Sequence, residues 1–164
     1  VPDQSGLSEP AERYPVKTSL LFMVVAVLAC TGAQAGTRSV VLGNTAFELT
    51  YVADPDSRRQ GLMGVSDLPF GTGMLFDFPA GTQPAIWMRN MLISLDLVFV
   101  ADSGEIRHVF AEVPPCAELP CALYQATQPL RWVIELPAGS VARLGLEEGD
   151  QLDMSALPPT PPMH

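Results

Sequence analysis

The sequence predicts a mostly β (α+β) fold, a small barrel or two-sheet sandwich of short strands with one short helix. Short apolar runs alternate with polar residues at period two, as half-buried strands do. Turn residues recur roughly every eight to twelve positions, the spacing of small all-β domains. Only one stretch carries a convincing helix start. There is no internal repeat and no heptad.

Taken in order, Thr37 to Ala53 reads as a hairpin. Ser39 to Leu42 leads into Gly43-Asn44, a two-residue turn signal, and Phe47, Leu49 and Tyr51 continue the alternation. A helix then begins with Asp54 as N-cap and Pro55 at the first helical position, and ends near Gly61 or Gly64. Asp67 to Gly73 is a loop and Met74 to Phe78 a short strand. Leu95 to Val100 is the clearest strand. Its alternation puts Leu95, Leu97 and Phe99 on one face and Asp96, Val98 and Val100 on the other, so both faces are apolar apart from Asp96. Asp102-Ser103-Gly104 turns it back into a returning strand from Glu105 to Phe110. Leu123 to Ala126, Trp132 to Leu136 and Gln151 to Met154 read as further strands, and Gly139 to Gly145 as a helical turn.

The 164 residues fit one domain, taken as residues 36–156, behind a targeting segment. Arg13 and Lys17 precede an apolar run from Ser19 to Cys30, too short to span a bilayer comfortably, and Ala33-Gln34-Ala35 follows as a small-residue cleavage site. Residues 1–35 are therefore expected to be a disordered start plus a secretory signal peptide, and the protein periplasmic or secreted. Lipidation at Cys30 and an uncleaved anchor through residues 19–30 are the alternatives. Leu157 to His164, rich in proline, is expected to be an unpacked tail. The net charge of −9 argues against nucleic acid and against anionic lipid headgroups. Membrane contact is expected only through the signal or anchor segment, and the protein is expected to be a monomer.

An exported chain keeps Cys116 and Cys121, expected as a disulfide that shapes a proline-flanked loop. No G-x-S-x-G, H-E-x-x-H, P-loop or G-x-G-x-x-G occurs, and the only histidines are His108 and His164. No cofactor and no metal site is expected. What remains is a set of polar groups in apolar sequence: Arg59, Trp87, Arg89, Asn90, Asp96 and Glu135. They form either closed structural ion pairs, with Arg59 and Arg89 as partners for Asp96, or a concave site for a polar ligand with Trp87 as a wall.

At these residues a family resemblance appears. The succession Arg59-x-Gly61-Leu62-Met63, Gly73-Met74-Leu75-Phe76, Trp87-Met88-Arg89-Asn90, Leu95-Asp96-x-x-Phe99, Gly104-x-Ile106 and Glu135-Leu136-x-x-Gly139 resembles domain of unknown function 192 over about Val40 to Met154. The resemblance implies a small, mostly β domain with a short helix, often behind a signal peptide or anchor. It implies no activity. The family's usual W-M-[KR]-N-T becomes W-M-R-N-M, with Met91 in place of the hydroxyl. Three functions are carried forward. The preferred one is a binding or accessory domain for a small ligand or an envelope protein. The second is a cell-envelope hydrolase or lyase with Asp96 and Glu135 as paired acid and base. A purely structural interaction module is the third.

Overall fold

The computed structural model describes residues 36–159. The apolar run 19–30, the cleavage signal and the last five residues of the proline-rich tail lie outside them. Eight strands and two short helices follow in chain order: β1 (Gly36–Leu42), β2 (Thr45–Val52), α1 (Pro55–Gln60), β3 (Thr72–Asp77), β4 (Ala85–Trp87), β5 (Leu95–Val100), β6 (Ile106–Val113), β7 (Leu123–Gln125), β8 (Trp132–Pro137) and α2 (Ser140–Leu144). The strands form a six-stranded sheet in the order β1-β2-β3-β8-β5-β6 and a two-stranded sheet of β4 and β7. The mostly β class holds. The six-stranded sheet ends on β1 and β6 and does not close into a barrel.

The local chemistry explains the elements. Leu42 pairs with Thr45 across the Gly43-Asn44 turn, where Gly43 has φ 59°, a conformation that costs glycine nothing. Asp54 Oδ1 accepts from the backbone N–H of Asp56 (3.1 Å) and Ser57 (2.9 Å), so α1 starts where the cap predicts. This helix crosses from β2 to β3, the one parallel pair; the other pairs in both sheets are antiparallel. At Gly73 in β3 a Cβ would stand 2.4 Å from the Glu135 carbonyl oxygen of β8, so only glycine lets the two strands approach.

Both faces of the large sheet are buried. On one, Leu49, Leu75, Val98, Ile134 and Leu136 pack with Val141 of α2 and Leu146, Leu152 and Met154 beyond it. On the other, Phe76, Leu95, Leu97, Phe99 and Val133 pack with Leu62, Met91 and Ile86 of the small sheet. Every residue of β5 is buried, which is why it reads as a continuous apolar run with one acid in it.

Four expectations change. There are two short helices instead of one, the second being the turn after Gly139. β4 has no counterpart in the sequence reading. Gln151 makes a single bridge to Glu105 rather than starting a strand. The start of the tail is packed: Leu157 lies against the core, and the Arg131 guanidinium donates to the Pro158 carbonyl at 2.5 Å. Cys116 and Cys121 are joined, with Cα atoms 5.5 Å apart.

Candidate functional site

The six candidate residues do not form one cluster. Adjacent positions on a strand face opposite ways, and residues directly across an antiparallel pair share a face. β5 and β8 pair Asp96 with Leu136 and Leu97 with Glu135. Asp96 and Glu135 therefore point to opposite sides of the same sheet. The expected acid–base pair is not built, and a hydrolase or lyase resting on it loses its two carboxylates.

Asp96 is fully buried and serves the fold. Its Oδ1 accepts from Glu112 N (2.7 Å) and Gly139 N (3.2 Å), and its Oδ2 from Val141 N (2.8 Å). The last two are N-terminal groups of α2, whose own N-cap is a glycine with no side chain to offer. Asp96 caps that helix from a neighbouring strand. The first contact holds the β5–β6 irregularity in which Glu112 has φ 52°. The arginines expected as its partners are elsewhere. Arg59 pairs with Asp56 on the exposed face of α1 at 2.8 Å, and Arg89 lies over the Trp87 ring, 5.7 Å from its centroid.

The buried ion pair of this domain is one that sequence reasoning missed. Asp77, fully buried, receives Arg131 Nε at 3.0 Å and the Tyr51 hydroxyl at 2.7 Å. Arg131 also reaches Asp102 at 3.0 Å and lies 3.8 Å from the centroid of the Trp132 ring. Burial, then the bond to Asp77, pushes the Tyr51 phenol up to about 12. The signal was present: Asp77 sits in Met74-Leu75-Phe76-Asp77-Phe78 as conspicuously as Asp96 sits in β5. His108 likewise gains partners that its strand does not announce. Its Nε2 is 3.1 Å from Thr127 Oγ1 and its Nδ1 3.7 Å from Glu148, a surface tie between β6 and two loops.

The remaining candidates surround a pocket of about 260 Å³. α1 and the turn after it supply Arg58, Arg59, Leu62 and Met63; β3 and the residue beyond it, Phe76 and Phe78; β4, Ile86 and Trp87; Met91 closes one side and Glu135 of β8 reaches in from the sheet. An adjoining cleft shares Arg59, Gln60, Met63 and Trp87 and adds Asp56, Arg89 and Asn90. Asn90 has φ 58°, a left-handed conformation that asparagine tolerates, and its carbonyl accepts from Gly64 N at 3.2 Å. It folds the loop that carries Arg89 and Met91. Met91 is buried in the pocket wall, so the departure from the family's hydroxyl makes an apolar surface there.

Glu135 is the exception in this site. It is 5% exposed, and no hydrogen bond or ion pair to its side chain occurs among the described residues. Burial pushes its carboxyl up to about 8, so at neutral pH it is mostly a protonated acid. Arg58, whose guanidinium shares the pocket wall, is engaged by the carbonyls of Ala53 and Asp77. The arrangement offers a ligand one buried carboxyl, apolar and aromatic walls, and guanidinium groups on α1 and after β4. Among the described residues no cluster of histidine, cysteine, aspartate and glutamate could hold a metal.

Known proteins bear on this geometry in three ways. No curated protein matches the chain significantly. Two crystal structures share its fold. One is a candidate transcription regulator from Sinorhizobium meliloti 1021, 31% identical, with TM-score 0.64, covering 73% of this chain and 96% of its own. The other is a protein of unknown function from Novosphingobium aromaticivorans DSM 12444, 28% identical, with TM-score 0.65, covering 78% of this chain and 91% of its own. The family model DUF192, described as an uncharacterized ACR, matches residues 38–154, the span in which the six motifs lie, and the chain belongs to that family.

Proposed function

We propose that this protein is an exported, non-catalytic domain that binds a small ligand in the pocket over Glu135. The observation that carries the reading is the unpartnered carboxyl of Glu135. Buried polar groups in folded proteins are paired, and an unpaired one costs about 1–3 kcal/mol. A site that keeps such a group beside apolar walls and guanidiniums is arranged for a polar atom arriving from outside. Export is supported by the Ala33-Gln34-Ala35 signal and by the Cys116–Cys121 bond. The relative described as a transcription regulator suggests nucleic acid, but a net charge of −9 weighs against that partner here.

Thermal-shift screening of sugars, carboxylic acids, amino acids and short peptides tests the reading. A true ligand at 100 times its Kd stabilises by about 2.7 kcal/mol. The Glu135→Leu variant should lose that response. A screen in which no class moves the melting temperature would sink the proposal.

A second reading, docking of an envelope protein, rests on a different observation. Trp87 (40% exposed) and Leu123 (61%) pair across β4 and β7 on the same outward face. Isolated exposed apolar residues are ordinary, but this pair sits beside Arg89 at the mouth of the pocket. Cross-linking in envelope extracts, compared with a Leu123→Lys variant, checks it: partner adducts should disappear in the variant.

A further inference from the structure

We infer that the ligand of this pocket is a small amphoteric molecule, with a primary ammonium group that meets Glu135 and a carboxylate that meets Arg59 and Arg89 at the mouth. The inference rests on the pocket reading above and specifies its chemistry. Each part of the ligand follows from a part of the site. The inner end is one carboxyl with no protein donor or cation on it. An ammonium supplies both N–H donors and charge, and charge-assisted bonds are about twice as strong as neutral ones. The outer end carries two guanidiniums, Arg59 and Arg89, and one exposed carboxylate, Asp56. Arg59 carries only an exposed pair with Asp56, and Arg89 touches no carboxylate among the described residues, only the Trp87 ring. Guanidinium groups suit a carboxylate, which they can hold by two parallel bonds. Between the ends the walls are Met63, Phe76 and Ile86, so the body joining the two charges is apolar. A volume near 260 Å³, opening into the adjoining cleft that carries Arg89, accommodates a molecule between an amino acid and a dipeptide in size.

The pH dependence distinguishes this ligand from a simple hydrogen-bond acceptor. The charged groups lining the pocket with Glu135 are Arg58 and Arg59 of α1. β3 and β4 contribute only apolar and aromatic walls, and the residues opposite Glu135 in the sheet, Met74 and Leu97, are apolar. Glu135 in the free protein is held up to about 8 by burial. An ammonium needs it ionised, so affinity rises with pH, approaching tenfold per unit below 8, as long as the amine keeps its own proton; an alkyl amine does so to about pH 10, whereas the α-amino group of a dipeptide loses it near pH 8. A ligand that accepts the carboxyl proton in a hydrogen bond shows the reverse, with affinity falling as pH rises through 8.

The experiment uses the whole protein and four probes: 6-aminohexanoate and the dipeptide alanyl-leucine, which carry both charges, and hexanoate and hexylamine, which carry one each. NMR shifts of the Trp87 indole N–H report binding at pH 6.5 and 8.5. 6-aminohexanoate, whose amine stays protonated at both pH values, should bind at least tenfold tighter than both single-charge probes, should tighten roughly 20-fold between the two pH values, and should lose that preference in Glu135→Gln, whose melting curve checks that the variant is folded. If hexanoate binds as well, or if affinity falls with pH, the ammonium assignment is wrong while the pocket reading stands. If neither amphoteric probe moves the indole signal, the assignment is overturned, and the pocket reading is left to the broader thermal-shift screen.

Discussion

Asp96 and Glu135 sit on neighbouring strands one register step apart, both buried among aliphatic side chains, and the protein treats them in opposite ways. On the α2 side, Asp96 has three backbone N–H donors and no cation. On the α1 side, Glu135 has a pocket and no donor. A third acid, Asp77, shows the intermediate solution of a shared arginine and a tyrosine. Backbone amides and guanidiniums make a buried carboxylate part of the architecture. Its desolvation is offset, and removing it leaves those donors stranded. A carboxyl without such partners contributes little to the fold and remains available to something else. Burial alone therefore does not separate structural acids from functional ones; the inventory of donors does.

Breaking the Asp96 side should have the largest effect. Asp96→Ala strands three backbone N–H groups, that of Val141 buried and those of Glu112 and Gly139 partly so, uncaps α2 and loosens the irregular pairing of β6. The expected loss is about 3–5 kcal/mol, and the melting temperature should fall by roughly 10 °C or more. Differential scanning calorimetry at neutral pH measures it, and a loss under 1 kcal/mol would remove the architectural role.

On the Glu135 side the sign reverses and depends on pH. An unfolded glutamate titrates near 4.5 and the folded one near 8. Below 4.5 both states hold the proton and ionisation does not affect stability. Between 4.5 and 8 only the folded state holds it, so stability falls as pH rises, by at most about 1.4 kcal/mol per unit. Above 8 the full cost of a few kcal/mol stands. Glu135→Gln should therefore match the parent protein near pH 4.5 and exceed it by a few kcal/mol near pH 8. Urea titrations across that range give the two curves, and parallel curves would mean that Glu135 ionises freely in the folded protein.

Much of this contrast was half visible in the sequence. Alternation located β1 and β2, each long enough for period two to show, and short apolar runs located β3, β5 and β8, which are buried on both faces. The Asp54-Pro55 start carries its own chemistry and was readable for that reason. β4 was not, since three residues cannot establish a period, and it exists only because β7, 36 residues on, pairs with it. The site divided along the same line. An acid inside an apolar strand advertises that it needs something, which singled out Asp96 and Glu135. What it needs is set by backbone amides 16, 43 and 45 residues away, or by the lack of them, and no side-chain pattern encodes a backbone donor. Expecting arginine partners for Asp96 came from counting charges and overlooking main-chain N–H groups. Asp77 and Arg131, 54 residues apart, are the converse case, where the charge rule was right and was applied to the wrong aspartate.

Tyr51 gives a smaller test of the intermediate case. Tyr51→Phe removes the 2.7 Å bond to Asp77 and leaves Arg131 in place. About 1–2 kcal/mol should be lost, less than at Asp96 because the carboxylate keeps its main partner. In the parent protein the absorbance of this tyrosinate should emerge only near pH 12. A stability change as large as that of Asp96→Ala would mean that the hydroxyl, rather than the guanidinium, holds Asp77.

The smallest effect is expected at Arg59, and its smallness sharpens the comparison. An arginine beside a conspicuous run of family residues invites the view that it neutralises a buried acid. Its observed partner is Asp56, three residues earlier on the same helix, and both side chains are largely in water. Exposed pairs of this kind contribute little because solvent screens them and two long side chains must be ordered to form them. Arg59→Gln should change stability by less than about 0.5 kcal/mol, in low or high salt. Its effect belongs to binding: a carboxylate-bearing ligand should lose affinity while the melting curve of the free protein stays in place. A fold that fails without Arg59 would return this residue to the architecture and take one wall of the pocket with it.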